Sequence, residues 1–137
     1  MTLVVDASAL AELLLARPAA AAVAEQFARH GYDLHAPHLL DVEVLSALRQ
    51  VVARGDADTE RAEQALEDLL DLPIERHGHD ILAGRIWALR ESFSAYDAAY
   101  VALAELVSDD GVSLLTADAR LARAATAQTR LTVICVA

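Results

Sequence analysis

Two junctions in this sequence set an acid and a hydroxyl at the end of an apolar run. Leu3-Val4-Val5 leads into Asp6-Ala7-Ser8, and Val112-Ser113-Leu114-Leu115 leads into Thr116-Ala117-Asp118. Such runs suit strands buried on both faces, as strands of parallel sheets are. Open α/β sheets bind ligands beyond the carboxyl ends of their strands, where the next helix begins. Asp6 and Asp118 therefore stand where chemistry is done. Two more acids interrupt apolar helix surface: Glu43 has Leu39, Leu40, Ser46 and Ala47 one turn away, and Asp97 has Phe93, Ser94, Tyr100 and Val101. Glu60, Glu63, Glu67, Asp109 and Asp110 fall on polar faces or in a loop and are read as solvation.

Asp6, Glu43, Asp97 and Asp118 gathered at one end of a sheet would repel one another and raise each other's pKa values unless a cation lay among them. A hard divalent ion such as Mg²⁺ takes oxygen ligands, often one or two carboxylates beside a substrate phosphate. There it would orient a phosphodiester, neutralise its charge and acidify an attacking water. Each acid also has a purely local reading. Asp6 and Asp118 can cap the helices they open, Asp97 completes a capping box with Ser94, and Glu43 can pair with an arginine. The four together, in this order, are what point to metal-assisted phosphodiester hydrolysis.

The elements that would position them follow from punctuation and periodicity. Strands are expected over 3–5, 33–36, 74–77, 112–116 and 131–136. Helices are expected over 9–16, from Pro18 through 19–29 to Gly31, from Pro37 to about 54 before Gly55, and over 59–70 up to Pro73. In the helix over 59–70, Ala62, Leu66, Leu69 and Leu70 form the dry side. Further helices run from an Asp80 cap through Ile81, Ile86 and Leu89, from a Ser94 cap over 96–107, and over 118–125. The loose spot is 108–111. Strands alternating with helices give an α/β fold, a three-layer α/β/α sandwich around a mostly parallel sheet.

At 137 residues the chain fits one domain, residues 1–137, large enough for a core without staples. The apolar fraction of 55% is swollen by alanine, so it signals helix rather than membrane. No apolar run nears the roughly 18 residues of a membrane span, and Met1-Thr2 leads straight into a strand, so a cytoplasmic protein is expected. The single Cys135, within Val133-Ile134-Cys135-Val136, reads as a buried inert thiol. All eleven basic residues are arginines, and the formal net charge is −10. That is the wrong sign for non-specific nucleic-acid binding. A nucleic-acid substrate would need a local arginine patch, bound cations or a second subunit; Arg17, Arg85, Arg90, Arg120 and Arg123 are the candidates.

The missing lysine argues against phosphoacceptor receiver domains and haloacid-dehalogenase-like phosphatases, and the first turn lacks the glycines of a nucleotide-binding fold. His77-Gly78-His79, with no further ligand pattern, reads as a loop rather than a Zn²⁺ site.

Val-Val-Asp6-Ala-Ser8, Leu-Asp-Val-Glu43-Val-Leu, Tyr96-Asp97-Ala-Ala-Tyr and Leu-Leu-Thr116-Ala-Asp118 together resemble PIN-domain ribonucleases, most of all the toxin halves of VapBC toxin–antitoxin pairs. The resemblance spans essentially the whole chain. It implies a central five-stranded parallel sheet with Asp6 and Thr116/Asp118 ending adjacent strands. It also implies an endoribonuclease whose Mg²⁺ or Mn²⁺ is held by Asp6, Glu43, Asp97 and Asp118, with Ser8 and Thr116 orienting those carboxylates. A homodimer and a small cognate antitoxin are implied as well, the antitoxin resting on the apolar helices between Ala9 and Val52. The rival is a PIN-like binding or assembly module with weak or no catalysis.

Overall fold

The computed structural model describes residues 1–107 and 111–137; the loose spot expected over 108–111 lies outside them except for Gly111, which is in a turn. Five strands, β1 Leu3–Val5, β2 Leu34–Pro37, β3 Ile74–His77, β4 Ser113–Thr116 and β5 Thr132–Cys135, form one sheet in the order β3-β2-β1-β4-β5. Every pairing is parallel. The chain winds outward from β1 to β3, then crosses back to β4 and β5. The direction of winding therefore reverses between β1 and β4, and the crevice beyond their carboxyl ends is the switch point where such sheets bind ligands.

Helices α1 Ala7–Leu14, α2 Ala20–Arg29, α3 Leu39–Ala53 and α4 Thr59–Asp71 pack on one another, and α5 Ala83–Ala88 packs on α6 Ala95–Leu106, which spans β1, β2 and β4. Helix α7 Ala119–Gln128 lies against β4 and β5. The sandwich is the expected one. Residues Ala98 to Ala104 of α6 are buried without a break, so this helix is apolar all round and forms the centre of the core with Leu3, Val4, Val5, Leu114 and Leu115.

Several boundaries differ from expectation for identifiable reasons. Pro37 ends β2 instead of opening a helix, because it still pairs with His77 of β3; α3 starts two residues later. The pairing of β2 with β1 has already ended at His35, so the missing N–H of Pro37 removes no bond from the ladder. Asp80 does not cap α5, whose N-cap is Leu82 after a turn closed by Leu82 N–H donating to His79 O. On α4, Ala65 is buried and Leu70 is exposed, which rotates the dry face from the expected one. Cys135 is exposed, contrary to expectation: β5 is an edge strand covered on one side, so the apolar run around it is only half buried. Gly31, past the end of α2, takes φ +61°, the left-handed conformation that closes a helix with least strain on glycine.

Candidate functional site

Asp6 follows β1 directly and is the N-cap of α1, accepting from Ala9 N–H at 3.0 Å. The same Oδ1 accepts from Ser8 Oγ at 2.7 Å, and Oδ2 accepts from Thr116 Oγ1 at 2.6 Å. Thr116, the fully buried last residue of β4, also accepts from Asp118 N–H at 2.9 Å. Ser8 Oγ lies 3.2 Å from Thr116 Oγ1 and accepts from Ala117 N–H at 2.9 Å. Two hydroxyls thus lock the ends of β1 and β4 together around one carboxylate. Asp6 is only 4% exposed. Burial pushes its carboxyl above the ordinary aspartate range, the charge of Asp118 adds to that, and the hydrogen bonds from Thr116, Ala9 and Ser8 oppose it.

Asp118 caps α7, accepting from Arg120 and Leu121 N–H groups. Asp97 sits in the first turn of α6, its N–H donating to the N-cap Ser94 Oγ at 3.1 Å. Between these two acids the guanidinium of Arg120 reaches Asp97 Oδ2 at 3.1 Å and Asp118 Oδ2 at 3.4 Å. The local readings of Asp6, Asp97 and Asp118 as helix-start residues therefore hold alongside their convergence.

Glu43 projects from α3 and is half-buried, with Val42, Ser46 and Tyr96 lining an open hollow of about 400 Å³ beside it. Burial raises its carboxyl above the usual range; Asp6 and Asp97 push the same way, and a 2.6 Å hydrogen bond from Tyr100 Oη works against them. Asp6, Asp118 and Asp97 are thus linked through Thr116 and one guanidinium at the switch point of the sheet, and Glu43 is coupled to Asp6 and Asp97 by charge; among the described residues no three of the four acids bring ligand oxygens within 4.8 Å of one another. The donor set fits a hard divalent cation: all oxygen, anionic, and with two members raised by burial and by neighbouring acids, Asp6 by Asp118 and Glu43 by Asp6 and Asp97.

The structure brings two further residues to the acids, Tyr100 and Arg120. Tyr100 was legible only as a polar tip three residues after Asp97 on an apolar helix. Arg120 was one arginine among five phosphate candidates. Of the others, Arg85 makes a forked pair with Glu105 and Arg90 lies over the Trp87 ring at 4.6 Å, while Arg17 and Arg123 are exposed.

A parallel sheet of order 3-2-1-4-5 with acids converging beyond β1 and β4 is the build of one class of domain. Residues 3–127 match the model of the PIN domain, and the chain belongs to that family. Within it the chain is similar to proteins named ribonuclease VapC from Mycobacterium tuberculosis. It is 41% identical to VapC12 over 88% of this chain and 90% of that protein, and 43% identical to VapC3 over 88% and 85%. To VapC9 it is 40% identical over 96% and 98%. The crystal structure of PAE2754 from Pyrobaculum aerophilum superposes with a TM-score of 0.67 at 25% identity, covering 97% of this chain and 83% of that one.

Proposed function

We propose that the chain is a VapC-type endoribonuclease, the toxin of a toxin–antitoxin pair, in which Asp6, Glu43, Asp97 and Asp118 hold Mg²⁺ or Mn²⁺. The observation that carries this reading is the buried Asp6 carboxylate, fixed from three sides by Ser8, Thr116 and Ala9 and close enough to Asp118 and Glu43 for their charges to act on one another. A buried, unneutralised carboxylate costs stability, and such a cost is kept where the charge is used.

When bound, the cation supplies positive charge to the phosphodiester and acidifies the attacking water. The chain's own residues do the positioning. Ser8 and Thr116 spend hydrogen bonds on Asp6 and so fix which way its carboxylate faces. Tyr100 does the same for Glu43. Hydrolysis of this type leaves a 5′-phosphate and a 3′-hydroxyl, since water rather than the ribose 2′-hydroxyl attacks.

The partners are RNA and a small antitoxin of VapB type. The apolar groove between α3 and α4, lined by Leu45, Leu48, Val52, Ala62 and Leu66, supports the antitoxin contact. Exposed Ile81, Trp87, Tyr96 and Leu106 near and on α5 and α6 support a homodimer. No helix among the described residues is long and apolar enough to cross a membrane, in keeping with an enzyme acting on cytoplasmic RNA.

The decisive experiment is cleavage of total RNA by the wild type with Mg²⁺ or Mn²⁺, with chelator, and by Asp97→Asn. Chelator and substitution each abolish cutting. Cutting that survives either one, or products ending in cyclic phosphate, would reject the mechanism.

A further inference from the structure

Away from the carboxylate pocket, the β2–β3 side of the sheet gathers imidazoles. In the parallel register His35 pairs with Glu75 and Pro37 with His77. Side chains alternate along a strand, so Glu75 and His77, two residues apart, share the face on which His35 stands. His35 Nδ1 lies 2.9 Å from His77 Nε2 and 3.4 Å from Glu75 Oε2, and the two rings stack with centroids 5.2 Å apart. One ligand atom from each of the three falls within 4.8 Å of the others, and among the described residues this is the trio of metal-binding side chains that does so.

The far side of His35 is built as well. Its Nε2 lies 2.8 Å from Asp33 Oδ1, and Asp33 Oδ2 accepts from Thr2 Oγ1 at 2.8 Å. A carboxylate on one ring nitrogen holds the proton there and leaves the other nitrogen's lone pair free. That arrangement orients ligating histidines in metal centres. Here it aims Nδ1 at His77 and Glu75. His79, close in sequence, takes no part: its Nε2 accepts from Leu39 N–H at 3.0 Å and so is committed to the backbone, in line with the reading of His77-Gly78-His79 as no metal site by itself.

We propose that His35, Glu75 and His77 form a binding site for a divalent transition metal of the Zn²⁺ type, distinct from the carboxylate pocket and independent of the nuclease reading. Two imidazoles and one carboxylate favour Zn²⁺ or Co²⁺ over Mg²⁺, which prefers oxygen throughout. Tetrahedral ligands at about 2.0–2.1 Å from an ion stand about 3.3 Å apart. The His35–Glu75 separation already meets this; His77 retreats a few tenths of an ångström and moves its Nε2 proton to Nδ1, so that its hydrogen bond to His35 gives way to the ion. Glu75 is 68% exposed and β3 is an edge strand, so an ion enters without opening the core. Water would take the fourth position, and the ion would clamp the edge strand to β2.

The test is titration of the tag-free full chain with Co²⁺, followed by its visible d–d absorption, and with Zn²⁺ by calorimetry. In saturating Mg²⁺, which fills the carboxylate pocket, one equivalent of Co²⁺ or Zn²⁺ binds, and the Asp6→Asn/Asp97→Asn double variant binds as the wild type does. His77→Gln abolishes binding, Glu75→Gln weakens it, and Asp33→Asn weakens it about tenfold. No absorption, binding unchanged in His77→Gln, or binding lost in the double variant would overturn the proposal. Should His77→Gln fail to fold by circular dichroism, the exposed Glu75→Gln decides, and unchanged affinity there overturns it equally.

Discussion

The Tyr100 hydroxyl donates a 2.6 Å hydrogen bond to Glu43 Oε1, joining α6 to α3 across 57 residues of sequence. Tyr100 is 2% exposed, and burial together with the adjacent Glu43 carboxylate pushes its phenol far above the ordinary range, so it donates at every working pH. Removing it with Tyr100→Phe takes away the one interaction that holds Glu43 down against burial, Asp6 and Asp97. The acid limb of the cleavage-rate profile should move to higher pH. A lost hydrogen bond to a charged group, about 1.5–3 kcal/mol, corresponds to a fall of about 10- to 100-fold in rate at neutral pH. A pH–rate comparison of the two proteins checks both.

Asp6 makes stability depend on pH with a definite sign. Its folded pKa is raised mainly by burial, so between the unfolded value of 3.8 and the raised value the native state holds more protons than the unfolded one. Stability of the metal-free protein therefore falls as pH climbs through that window. Asp6→Asn removes the buried charge. In chelator at pH 7.5 the variant should melt higher than the wild type while cutting no RNA, and Mg²⁺ should raise the melting temperature of the wild type alone.

Thr116→Val keeps the shape of a fully buried residue but leaves Asp6 Oδ2 and the Asp118 N–H without their shared partner. Each orphaned group costs about 1–3 kcal/mol. Urea unfolding should show that loss, and Thr116→Ser, which retains the hydroxyl, should recover most of it along with activity.

Arg120 holds the position between Asp97 and Asp118 that a divalent cation would contest. Arg120→Ala should lower the Mg²⁺ concentration for half-maximal cleavage several-fold. It should also raise KM for RNA, because one of the few cations near the pocket is gone.

Cys135 is exposed on the edge strand β5, so it should react with a disulfide reagent in the native protein at a rate little changed by denaturant. A thiol that reacts only after unfolding would contradict its placement.

What the sequence disclosed and what it hid divide along physical lines. β1 and β4 are buried on both faces, which writes an unbroken apolar run, and Leu3–Val5 and Leu114-Leu115 were legible for that reason. The acids were legible because a charge among apolar neighbours is conspicuous. Edges and turns were not. Pro37 looked like a helix opener because proline serves equally at a strand's last residue, and Cys135 looked buried because an edge strand keeps apolar composition with one face open. The Arg120 bridge and the approach of His35 to His77 depend on which strands and helices lie side by side, and neither residue pair is close in sequence.

Ser8 and Thr116 touch although they stand 108 positions apart in the polypeptide. Because β1 must wait for β4 before its flank is closed, a nascent chain still lacking its last thirty-odd residues possesses neither Thr116 nor Asp118. The hydroxyl that clasps Asp6 thus arrives only with β4, and a ribosome-borne chain that stops short of it holds the first acid of the pocket without its clasp.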